Sequence, residues 1–196
     1  MTEPTATHPA ADFELEDWLQ DAAMPEESAE VYKRANVVGK LSRLRRQIEL
    51  ERAASAGSEK TSAQASTLGP LEAEYEKLVQ AFASSQITVY VRALSSDEKF
   101  VLRRDSDERT KDKTQLEQNK HHGFALLAAS IIAVEPFEKP RTAVNWSIAQ
   151  VKALESKIGP AQMEHILNAY SVAQNKLPEV DADFLHKPSG EVTGQG

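Results

Sequence analysis

Apolar residues recur at helical spacing toward the C-terminal end of the chain: Trp146, Ile148, Val151, Leu154 and Ile158, then, after Gly159-Pro160, Met163, Ile166, Leu167 and Tyr170. The spacing predicts two short amphipathic helices around a sharp turn. Ser147 or Asn145 can cap the first helix, Gly159 stands where a helix end needs positive φ, and Pro160 suits the first turn of the next. From Asn175-Lys176-Leu177-Pro178 the pattern becomes irregular, and residues 178–196 read as a flexible tail with one or two apolar anchors.

Nearer the start, Phe13, Leu15, Trp18 and Leu19 share one side of a short acidic helix expected over residues 12–23, and Pro25 stops it. A second helix is expected from Ser28 to about Ala54. In it Val37, Leu41, Leu44 and Ile48 follow a four, three, four spacing, a narrow heptad seam. Between Ala53 and Thr67 the composition falls to Ala, Ser, Gly and Thr, as in a flexible connector. From Leu68 a further helix repeats the seam with Leu71, Tyr75, Leu78 and Phe82, and an antiparallel αα-hairpin is the economical arrangement.

Ser84-Ser85 interrupts that helix, and Ile87-Thr88-Val89-Tyr90-Val91 alternates with the two-residue period of a strand. A lone strand leaves its backbone unpaired, so this one needs a second strand the pattern does not reveal, another subunit, or a role as an extended connector. Ser95 and Glu98 have capping-box spacing and open a helix carrying Phe100, Val101 and Leu102. Residues 105–118 are charged or polar and read as a solvated loop or helix extension. Residues 124–134 form the most apolar run, expected as the central core helix. The expected fold is mainly α, a helical domain with a coiled-coil-like αα-hairpin arm and at most one or two short strands. Its parts are an N-terminal tail and acidic helix (1–26), the hairpin (27–85), a compact helical domain (86–177) and the tail.

Composition narrows what such a chain does. It has 196 residues, 40% apolar but 6% aromatic, a mean hydropathy of -0.49 and a net charge of -7, which fits one modest, mostly aliphatic core. The acidic balance argues against dedicated duplex binding, which rests on Lys and Arg neutralising phosphates. With no cysteine there is no disulfide, thiolate nucleophile or Cys-based metal site. The first eleven residues lack the basic and apolar regions of a secretory signal, and no window reaches the roughly 18 apolar residues of a membrane span.

Candidate chemistry is thin. Glu117 and His121, four residues apart, could share a helical face as two metal ligands, but a metal needs more, so no metal or cofactor site is expected. No nucleophile elbow, phosphate-cradling glycine loop or dinucleotide fingerprint occurs, and an enzyme is not expected. Acidic residues at 105–112 alternate with Arg103, Arg104, Arg109 and Lys111, a solvated surface. The basic stretch Lys33, Arg34, Lys40, Arg43, Arg45 and Arg46 either meets nucleic acid or an acidic partner, or pairs with Glu72, Glu74 and Glu76 across the hairpin. The second reading is preferred. The two seams and Trp18 are the candidate partner-binding residues, set against the alternative that each seam buries the other and that the Trp18 stripe closes a core.

One resemblance bears on the partner. Ser147-Ile148-Ala149-Gln150-Val151, Ile158-Gly159, Gln162-Met163, Ile166-Leu167, Asn175 and Val180-Asp181, with Phe13 to Leu19 and Val91 to Glu98 upstream, resemble the tail assembly chaperones of long-tailed actinobacterial phages. The resemblance implies a protein that binds the tape measure protein, with the major tail protein as a second candidate partner, keeping the client soluble in the cytoplasm of the infected host. It also implies absence from the mature virion, and a possible homo-oligomer or frameshifted longer form. A structural virion component and a nucleic-acid-associated regulator are the alternatives.

Overall fold

Helix starts are encoded locally in this chain. Ser95, Thr114 and Ser147 each accept a hydrogen bond from the backbone N–H three residues on, and the side chains of Glu98, Glu117 and Gln150 each accept one from the cap's own N–H, giving three reciprocal boxes. The computed structural model describes residues 14–20, 22–56 and 62–177. In chain order they form α1 (Leu15–Leu19), β1 (Glu26–Tyr32), a 3-10 turn (Ala35–Val37), α2 (Val38–Ala56), α3 (Ser62–Ala83), β2 (Gln86–Arg92), α4 (Ser96–Arg109), α5 (Gln115–Ser130), β3 (Ile131–Pro136), β4 (Thr142–Ala143), α6 (Ile148–Ile158) and α7 (Pro160–Asn175).

The mostly helical class holds, but the expectation of one or two strands does not. Four antiparallel strands form one sheet in the order β1-β2-β3-β4. The segment expected to begin the second helix is instead strand β1, which pairs along its length with β2, from Glu26 opposite Arg92 to Tyr32 opposite Gln86. Its acidic residues and lone Ala29 and Val31 resemble a helix start; the hydrogen bonds that make it a strand come from residues far along the chain. The helix expected over 124–134 ends at Ser130, and the rest of that apolar run is β3. An apolar run buried on several sides has no period to separate helix from strand. The strand at 87–91 thus finds two partners within the chain.

The core lies on one face of the sheet. Ala29, Val31, Val89, Val91 and Ile131 pack against Phe124, Leu127 and Ala128 of α5, Val151 of α6, and Met163, Ile166 and Ala169 of α7. Val89, Val91, Val151 and Ile166 are wholly buried, each contributing about 1.5–3 kcal/mol of transfer free energy. The turn between α6 and α7 is as the sequence predicts: Ser147 caps α6, Gly159 sits at φ 82° and ψ 166°, a region essentially reserved for glycine, and Pro160 opens α7. α4 packs on α5, outside the core. The other sheet face carries polar side chains of β1, β2 and β3, including Tyr90 and Glu135.

The chain between β1 and β2 holds α2 and α3, which pack on each other. Helix α2 runs into the segment expected as a flexible connector as far as Ala56, and α3 begins at Ser62 and passes through Pro70.

Candidate interaction surfaces

Among the described side chains of α2, Leu41, Leu44, Ile48 and Glu51 are the ones withdrawn from solvent, which reproduces the spacing read from the sequence. Leu44 and Ile48 are buried, while Val37 in the preceding turn, Leu41, and Leu71, Tyr75, Leu78 and Phe82 of α3 are half-buried. The pairings run antiparallel: Phe82 stacks on Tyr32 with ring centroids 4.3 Å apart and planes 8° from parallel, Lys40 meets Glu74 at 2.6 Å, and Arg52 meets Glu72 at 2.6 Å. The structure therefore sets the two helices that carry the seams against each other, with the eight seam residues buried or half-buried. The basic stretch is partly paired as the preferred reading expects, through Lys40–Glu74, while Arg45 bonds Glu49 one turn along its own helix at 3.0 Å. Val38, Leu50 and Val79 remain exposed on the same two helices. Trp18 lies in α1, but its side chain is outside the described residues, as is Phe13. Leu15 and Leu19 beside it are exposed.

The possible Glu117–His121 ligand pair does not form. Glu117 is the third residue of α5, and its carboxylate accepts from the Thr114 N–H at 3.0 Å and hydroxyl at 2.8 Å, which lower its pKa. His121 instead bonds through Nδ1 to the Ser106 hydroxyl of α4 at 2.8 Å. A serine–histidine pair invites a nucleophilic reading, but Ser106 is buried in the last turn of α4, and the charged groups acting on the imidazole, Lys152 and Arg109, are cations. Burial, with those cations, lowers the His121 pKa, and burial likewise lowers that of His122, whose Nδ1 has no partner among the described residues. The pair ties α4 to α5. Among the described residues no three His, Cys, Asp or Glu side chains come together as a metal site. Nothing in the sequence signals the Ser106–His121 contact, because its partners sit on different helices.

Sequence reasoning also missed two features of the sheet. On its open face Tyr90 donates its hydroxyl to Glu135, and Arg141 lies 4.0 Å over the Tyr90 ring while bonding Glu26 at 2.7 Å. Next to it Arg92 bonds Glu98, and these bonds, with the Ser95 N–H, hold the Glu98 carboxyl down at about 2. At the β1 edge, the Gln162 side chain accepts from the Tyr32 N–H at 2.6 Å and donates to the Tyr32 carbonyl at 2.9 Å, joining α7 to the strand.

Compared with known proteins, the chain matches no family model, no curated protein and no solved structure. Among the described residues no helix is long and apolar enough to cross a membrane.

Proposed function

We propose that this protein is a non-enzymatic tail assembly chaperone of the kind its sequence resembles. In this reading α2 and α3 form a coiled-coil-like arm that covers an apolar helical segment of the tape measure protein until the tail subunits polymerise around it. The observation that carries the reading is the thinness of the seam: only Leu44 and Ile48 of its eight residues are buried, and Val38, Leu50 and Val79 stand exposed on the same helices. Two helices joined by so narrow an apolar stripe open at low cost, and an amphipathic client helix can replace or extend the contact. The chaperone acts in the host cytoplasm and leaves before the virion matures.

Co-expression with the longest open reading frame of the same genome, the presumed tape measure, tests the reading. The client is expected to become soluble and to copurify. In the full chain, Leu41→Asp with Leu44→Asp should abolish copurification while amide exchange in α5 to α7 stays slow. A double variant that still solubilises the client would sink the role of the seam. Finding the chain in purified particles at fixed stoichiometry would replace the chaperone by a structural component. Retention of nucleic acid on a filter at low ionic strength would favour the regulator.

A further inference from the structure

Among the described residues strand β1 has no strand beside its outer edge. Its ladder to β2 uses the odd-numbered residues, as the flanking bonds show: the Lys33 N–H donates to the Ser85 carbonyl at 3.2 Å and the Ala93 N–H to the Pro25 carbonyl at 2.8 Å. In an antiparallel ladder the residues between those present both backbone groups to the other side. Tyr32 shows what such groups take up, since the Gln162 amide makes with it the two bonds a neighbouring strand would make. Ser28 and Glu30 have the same parity, and among the described residues nothing bonds their backbone groups. α7 packs on β1 through the core, and along the outer edge of the strand a groove of about 630 Å³ opens, lined by Ser28, Glu30, Ala161, Glu164, Asn168 and Val172. A bare strand edge beside a helix is the setting in which an extended peptide adds a strand: its main chain pairs with the edge, and alternate side chains reach the helix.

Charge selects the occupant. Glu27 is bonded by Lys176, and Glu26 by Arg141. Glu30 on the strand accepts only from the Tyr32 hydroxyl at 3.3 Å, and among the described residues no cation meets it or Glu164 on the helix. Two carboxylates along this edge thus lack a counter-charge, Glu164 on the helix and Glu30 on the open face of the sheet. A second copy would set its own Glu26, Glu27 and Glu30 against these, and residues 178–196 bring Glu179, Asp181, Asp183 and Glu191 against one lysine, Lys187. Like charges opposed across a strand pair are destabilising. We propose that the groove between β1 and α7 binds an extended segment of a partner protein, with lysine or arginine at alternate positions, as a fifth strand on the sheet. Gln162 marks where the added strand stops. The inference stands apart from the chaperone reading, because it concerns β1 and α7 and not α2 and α3.

Amide hydrogen exchange on the full chain tests it, with a synthetic heptapeptide alternating lysine and valine as the probe. At saturation the Ser28 and Glu30 amides are expected to exchange on the order of tenfold more slowly. A peptide with glutamate for lysine, and one N-methylated at the positions facing β1, should not protect them. Glu30→Gln with Glu164→Gln, both at exposed positions, should weaken binding about three- to tenfold. Unchanged exchange at both amides would overturn the proposal, as would equal binding of the N-methylated peptide. Protection that rises with protein concentration in the absence of peptide would overturn it in favour of a second copy. Protection already present and lost on deleting residues 178–196 would overturn it in favour of the chain's own tail.

Discussion

In the sheet and the helices beneath it, Val89, Val91, Val151 and Ile166 are removed from solvent altogether, whereas in the pair α2 and α3 the innermost residues, Leu44 and Ile48, keep 7% exposure and the other seam residues are half-buried. The difference follows from layering. A sheet face roofed by three helices shields each core side chain from several directions, while two helices alone meet along one stripe and leave the rest of each helix in water. The body can therefore fold around its own core, and the helix pair, joined to it through β1, β2 and the Tyr32–Phe82 stack, draws its position from the body. Dependence should run one way. Damage to the body releases the pair, but damage to the pair leaves the body standing.

The largest effect that would break this comparison is at the core. Ile166→Ala or Leu127→Ala should cost about 2–5 kcal/mol, seen as a lower urea midpoint, and should free the amides of α2 and α3 together with those of the sheet. Leu44→Ala should cost about 2 kcal/mol or more within the pair, read as faster exchange confined to α2 and α3. If Leu44→Ala lowered the midpoint of the body as far as Leu127→Ala does, the asymmetry would be wrong.

Next in size is the junction of α6 and α7. Gly159→Ala places a Cβ where the backbone holds φ 82° and ψ 166°, and the expected loss is about 1–3 kcal/mol of body stability. There is open space around that position, so the loss would report backbone conformation and not a clash. Ser147→Ala, which removes the cap of α6, should cost about 1 kcal/mol. An unchanged melting temperature for either variant would show that this corner does not limit the stability of the body.

Acid sharpens the comparison further. The lowered pKa values of His121 and His122 mean that the unfolded chain takes up their protons first, so stability present above about pH 6.5 is lost as the pH falls below it toward the native values. Glu98 has the same sign at lower pH: its contribution is present above the unfolded value near 4.5 and disappears as the pH approaches about 2. Urea midpoints for the body should therefore fall between about pH 7 and about pH 5, then again in stronger acid. A flat profile down to about pH 5 would mean that the histidines stay protonated alike in both states.

The smallest effects belong to the surface pairs of α2 and α3. Lys40→Ala and Arg52→Ala should each change stability by no more than about 0.2–1 kcal/mol, less in high salt, because both pairs are exposed. A larger change would mean that these charges, and not the apolar seam, fix how the two helices meet.

What the sequence by itself determined are the features whose causes lie within one or two turns of chain. The box at Ser95, a cap at Ser147 or Asn145, the Gly159-Pro160 turn, the periodicity of α6 and α7, and the seam of α2 and α3 were all legible, because a cap reaches three residues and an apolar stripe repeats every three or four. The sheet was not. Glu26 to Tyr32 has the look of a helix start, and Ile131 to Pro136 that of a continuing core helix, until β2 lies between them and supplies hydrogen bonds that neither segment can make alone. The Gln162 amide on Tyr32, the Ser106–His121 bond and the groove beside β1 likewise join residues distant in sequence. Only the tertiary structure decides these, since a strand edge and its neighbours are defined by what folds next to them and not by the residues the strand contains.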